Sequence, residues 1–153
     1  MSRVFQILVS LSPTAPMQTL ERARAIPGRG LDGDRYAVGA GTFSPKPHKP
    51  DFELTLIENE AVEVFARESG LPFTTLHARR NIVTHGIALN ALAGVEFSIG
   101  EVRIKGIRLC EPCNYLAKTT WPEVLRGLVH RGGLRAQILS EGVINRGDPI
   151  IPL

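Results

Sequence analysis

Glycine and proline interrupt this chain so often that no regular element can run far: 15 Gly and 11 Pro fall within 153 residues. Proline fixes φ and removes a backbone donor, and glycine weakens the interior of strands and helices alike. The pattern predicts many short elements. No segment repeats at a fixed period, and no low-complexity tract offers itself as an interdomain linker. With 43% apolar residues, the chain can fill one core and hardly two. A single compact unit over residues 1–153 is expected.

Between the breaks, strand patterns outnumber helical ones. Residues 4–10 read as a strand, and residues 13–50 mostly as loop, ending in the turn-rich SPKPHKP. ELTLI at 53–57 is a second strand. ENEAVEVFARESG then places Ala61, Val62, Phe65 and Ala66 on one face with Gly70 as a stop, which predicts a helix over 58–69. Strand patterning returns at 81–84, at 95–100, where Val95, Phe97 and Ile99 alternate, and at 101–109, with Val102, Ile104 and Ile107. A second short helix is expected over 121–130, broken by Gly132 and Gly133. Strands at 134–139 and 148–151, joined by EGVINRGD as a turn, close the chain. Strands dominate without regular helical alternation. The expected fold is mainly β, of α+β type, a barrel with a few short helices and not a doubly wound sheet.

The charge pattern narrows the partners. With 18 Lys plus Arg against 15 Asp plus Glu, the formal charge is only +3, too mild to indicate nucleic acid. The arginines come in ones and twos, which suits point recognition of a small anion. No apolar run approaches the roughly 18 residues that span a bilayer. The opening MSRVFQILVSLSPTAP shows no small-residue cleavage site, so a cytoplasmic protein that engages neither membrane nor nucleic acid is expected. The Arg-Gly-Asp within NRGDP then reads as part of a closing turn and not as an adhesion motif.

RLCEPCNYL, residues 108–116, holds the only two cysteines, Cys110 and Cys113. Two are too few for a disulfide scaffold, and both are expected to be reduced. A dithiol redox pair would want a βαβ setting that this pattern lacks. A zinc site would need two more ligands from His48, His77, His85, His130 or carboxylates, none at a recognisable pair spacing. A single reactive thiolate makes the fewest demands. Arg108 before the pair, and N–H groups of a helix starting near Pro112, would favour the thiolate. A buried, inert pair remains open, because free cysteine is among the most buried residue types.

GLDGDRY (30–36), RRNIVTHG (79–86), LNALAGVEFSIGEVRIKGIRLCEPC (89–113) and HRGGLRAQILSEGVINRGDPI (130–150) follow one another in the order found in MOSC domains. That family takes its name from the C-terminal part of molybdenum cofactor sulfurase. The chain resembles it from about residue 30 to residue 151, and most closely its small stand-alone members. The resemblance implies a closed β-barrel core and a family cysteine that carries persulfide sulfur or ligates the molybdenum of the molybdenum cofactor. That cysteine maps to Cys113, after Pro112; Cys110 is present in only some relatives. Pyridoxal phosphate is not expected within this chain, so sulfur would arrive from a separate donor such as a cysteine desulfurase.

A pterin ligand with a phosphate calls for arginine and backbone N–H donors. Arg80 with Asn81, Arg108, and Arg131 with Gly132 and Gly133 are the candidates, and each also has a plainer reading as a turn-bracing or helix-stopping residue. Asp34 and Arg35 are second-rank candidates, because an Asp-Gly-Asp run is first of all a turn held by side-chain to backbone bonds. His130 is a candidate for proton transfer. Two rival functions stand beside the sulfur carrier: a non-catalytic binding module for an anionic metabolite, and a dithiol oxidoreductase using Cys110 and Cys113 together.

Overall fold

A computed structural model describes all residues, 1–153. Its larger sheet has eight strands in the order β2 (Gln18–Leu20), β1 (Arg3–Val9), β6 (Ile82–His85), β5 (Leu54–Glu58), β9 (Leu134–Ile138), β8 (Val102–Leu109), β7 (Glu96–Ile99), β11 (Ile150–Pro152). Every neighbouring pair is antiparallel except β5 with β6. A parallel pair needs a crossover, supplied by α1 (Asn59–Ser69) and the single-turn α2 (Thr75–Ala78). The fold is mainly β with a few short helices. No helix is long and apolar enough to cross a membrane.

Successive strand residues point to opposite faces, and the apolar pairs Ile7/Leu8, Leu56/Ile57 and Ile82/Val83 use both. Ile7, Leu56 and Ile82 join a cluster of 20 buried residues inside the curl of the sheet. Leu8, Ile57 and Val83 face a second cluster of 11, built with Val62 and Phe65 of α1, Leu116 of α3 (Asn114–Thr119) and Val124 of α4 (Val124–Gly127). The central strands are therefore covered on both sides, and continuous apolar runs such as Ile7, Leu8 and Val9 follow from that.

Helix α1 starts one residue later than expected, with Glu58 as its N-cap, and ends on Gly70 at φ 71°. A Cβ on Gly70 would meet nothing within 4 Å. Gly70→Ala is therefore expected to cost only the left-handed backbone penalty, roughly 1 kcal/mol, read as a small fall in thermal midpoint.

Three expectations need correction. Residues 13–50 are not mostly loop, because they contain β2, β3 (Arg22–Ile26) and β4 (Gly30–Leu31). The supposed turn 141–148 contains β10 (Gly142–Asn145), which pairs with β3 and forms a second sheet in the order β10-β3-β4. RARAI in β3 buries Ala23 and Ala25, side chains too small to announce a core strand. The turn proper is confined to 145–148, where Asp148 accepts a bond from the N–H of Asn145 at 2.8 Å. The expected helix over 121–130 shrinks to α4, because Gly127 must lie against the ring of Phe65 where a Cβ would collide, and His130 turns the chain at φ 59°.

The expected closed barrel is instead an open, strongly curled sheet, with β2 and β11 at its ends. β2 occupies the edge of β1 at Ile7, Leu8 and Val9. Only the start of β1 is left for the returning chain: Arg3 lies opposite Pro149, and Val4 N–H bonds to Asp148, Gly147 N–H to Val4 and Ile150 N–H to Ser2.

Candidate functional site

Strand β8 delivers the cysteines. It runs out at Leu109, and residues 110–113 then cross the end of the sheet beside the start of β9. Cys110 is buried, and its N–H donates to the carbonyl of Gly133 at 2.7 Å. The approach is close enough that a Cβ on Gly132 would run into the Cys110 carbonyl oxygen and come within 3.2 Å of Pro112. Gly132 and Gly133 are thus packing glycines that let two chain segments touch. Cys113 is half-buried, caps α3, and its Sγ accepts a bond from the N–H of Leu116 at 3.5 Å. Both thiols are free.

The two cysteines line a cavity of about 340 Å³ together with five arginines, Arg35, Arg79, Arg80, Arg108 and Arg135, and one carboxylate, Glu111. Tyr36, Phe43, Phe52 and Tyr115 supply aromatic wall. So lopsided a charge set favours an anion.

The arginines do different work. Arg80 donates to the carbonyls of Gly132 at 3.0 Å, Ala78 at 3.1 Å and Cys110 at 3.4 Å, so it clamps the cysteine loop to the start of β9. Arg79 sits at φ 57° and donates to the carbonyls of Ala15 at 2.8 Å, Pro13 at 3.1 Å and Ser12 at 3.4 Å. Burial, and then the neighbouring Arg35 cation, lower its pKa, against the pull of Tyr115, Asp34 and Tyr36. Arg35 forms a buried ion pair with Asp34 at 3.0 Å. Arg108 donates through Nε to Asp51 at 2.9 Å. The Arg135 guanidinium makes no hydrogen bond to the chain and lies 4.6 Å from the centroid of the Phe52 ring.

Arg80, Arg108, Arg35, Cys110 and Cys113 are therefore brought together, and the other candidates lie elsewhere. Asn81 does not reach the cavity. It is buried and ties β5 to β1, donating to the Leu8 carbonyl at 3.2 Å and accepting from the N–H of Thr55 at 3.2 Å. Asp34 is likewise internal, accepting from the N–H groups of Ser10 at 3.0 Å and Tyr36 at 3.3 Å. Arg131 points away, to Glu68 at 3.2 Å and the carbonyl of Gly127. His130 is an exposed partner of Glu111 at 2.7 Å and is not among the lining residues. No three His, Cys, Asp or Glu side chains gather as a metal cluster.

The family model described as MOSC domain matches residues 31–151. The chain belongs to the MOSC domain family. Among solved structures, it is similar to the YuaD protein from Bacillus subtilis, with 14% identity, a TM-score of 0.82, and 98% of this chain and 94% of that one covered. It is also similar to YiiM from Geobacillus stearothermophilus, with 16% identity, a TM-score of 0.76, and 100% and 75% coverage. YiiM from Escherichia coli follows at 18% identity, TM-score 0.69, and 97% and 70% coverage. At these identities the likeness is one of fold. No curated protein matches this chain.

Sequence reading missed Arg79 and Arg135 in this MOSC domain. Arg79 stands beside Arg80 in the RRNIVTHG segment, and the doubled arginine was the available signal. In LRAQI, Arg135 alternates with buried Leu134 and Ala136 and so had to face away from the core. What it would meet there depended on strand register, which no local pattern carries.

Proposed function

We propose that this MOSC domain is a molybdenum-cofactor-related sulfur carrier in which Cys113 takes a sulfur atom from a persulfide donor, such as a cysteine desulfurase, and presents it to an anionic acceptor. The supporting observation is a half-buried thiol on the wall of a cavity ringed by five arginines. In the loading step the Cys113 thiolate attacks the outer sulfur of the donor persulfide. A new S–S bond forms to Cys113, the donor's S–S bond breaks, the outer sulfur keeps its proton, and the donor leaves as a thiolate. Arg80 holds residues 110–113 in place, and the cavity's other cations stabilise the negative charge that sulfur and acceptor bring.

The residues also suit the cofactor as a bound group: one thiolate is a soft donor for molybdenum, and Arg135, with the terminal N–H groups of Arg108 that Asp51 does not use, could meet a phosphate. When bound, the cofactor would supply a metal centre able to accept sulfur. Cys110 is 2% exposed, which disfavours it as the second member of an exchanging dithiol.

The reading is tested by intact mass. Purified protein incubated anaerobically with a cysteine desulfurase and free cysteine should gain the mass of one sulfur atom. If the parent gains none, the carrier reading fails and a plain anion-binding module replaces it.

A further inference from the structure

We infer that Arg108 and Arg135 form a subsite for a tetrahedral oxyanion dianion, with Asp51 as the resident counter-ion that the ligand displaces. The inference rests on the reading of the cavity as an acceptor site and names the group by which the acceptor is held.

Arg108 on β8 and Arg135 on β9 are direct cross-strand partners. Like charges placed opposite one another in a ladder repel, and Asp51 offsets only the Arg108 side of this pair. Both guanidinium groups lie over the same Phe52 ring, 5.8 Å and 4.6 Å from its centroid. That stacking orients two planar forks without using their N–H donors.

The donor inventory separates these two from the other cavity arginines. Arg79 and Arg80 each donate to three backbone carbonyls, and Arg35 is held by Asp34. The Arg135 guanidinium has no hydrogen-bonding partner, and that of Arg108 uses only its Nε, on Asp51. Asp51 belongs to the same short helical turn as Phe52, Pro50–Phe52. The carboxylate and the ring that orients the arginines therefore arrive together. A monoanionic carboxylate leaves one positive charge of the pair uncompensated; a dianion matches both. Phosphate, sulfate and a phosphomonoester share that chemistry.

The test is a ³¹P NMR titration at low ionic strength of the full chain with inorganic phosphate, repeated with phenyl phosphate. The parent should show saturable broadening that fades as salt is raised. Arg135→Gln should weaken phosphate binding at least tenfold, and Asp51→Asn should strengthen it severalfold by removing the competitor. Arg131→Gln, outside the cavity, should leave it unchanged. Tighter binding of phenyl phosphate than of phosphate would assign the subsite to a phosphomonoester; equal binding would assign it to the free ion. Arg135→Gln removes both a repulsion and a contact with the Phe52 ring, so its thermal midpoint is expected within a few degrees of the parent, and a melt on the same sample separates weakened binding from unfolding. Parent-like binding by Arg135→Gln, or weaker binding by Asp51→Asn, would overturn the subsite. The titration involves no sulfur transfer, so its outcome is independent of whether Cys113 accepts sulfur.

Discussion

Serine at position 113 is expected to abolish sulfur loading outright while leaving stability within about 1 kcal/mol of the parent. A hydroxyl cannot carry a persulfide, yet serine is a preferred helix N-cap, and Cys113 already caps α3 through its Sγ. Cys110→Ser should behave in the opposite way. Cys110 is 2% exposed, so its hydroxyl replacement must find a partner or remain unsatisfied, at a cost on the order of 1–3 kcal/mol. Sulfur gain should persist in that variant. Intact mass and a thermal melt on both variants read the dissociation. Loss of loading in both, with both folded, would favour the dithiol mechanism instead.

Gly133→Ala is expected to be the most damaging small substitution in the chain. Gly133 lies at φ 112°, and an added Cβ would collide with the carbonyl oxygen of Leu56 and sit 3.0 Å from its carbon and 3.3 Å from the Cα of Ile57. All three atoms are backbone of β5, which no rotamer change can move. Relief would require β9 to shift away from β5, losing the Leu56–Leu134 register and the bond from Cys110 N–H to Gly133. The expected loss is about 4 kcal/mol, a fall of roughly 10 °C or more in thermal midpoint. Gly70→Ala places alanine at a milder positive φ with open space around it, so the difference between the two variants reads the collision together with the extra backbone strain at φ 112°. A fall of only a few degrees for Gly133→Ala would mean that the β5–β9 contact is looser than described.

The parts of the fold that could be read from sequence were those whose signal is local. Helix α1 showed its buried face and its glycine stop, and β7 and β8 showed alternation. β3 and β10 did not, because each is stabilised by the other across more than a hundred residues and presents small or sparse apolar side chains, Ala23, Ala25 and Ile144. The site divides in the same way. Cys113 and Arg108 could be singled out from a short stretch, and Asp34 as a turn residue likewise. Arg131 could not be placed, because the left-handed turn at His130 sends it toward Glu68. Arg135 became visible only when β8 and β9 were set in register.

Alkylation rates read whether Cys113 is a reactive thiol in an anion-favouring cavity. Parent protein, reduced and anaerobic, would be treated separately with neutral iodoacetamide and anionic iodoacetate at low and high salt, and the labelled cysteine identified by peptide mass. Labelling is expected at Cys113 and not Cys110, with iodoacetate favoured relative to its reaction with a free thiol, and with that preference lost as salt screens the arginines. Labelling of Cys110, or a Cys113 that reacts with both reagents as a free thiol does at every salt concentration, would contradict it.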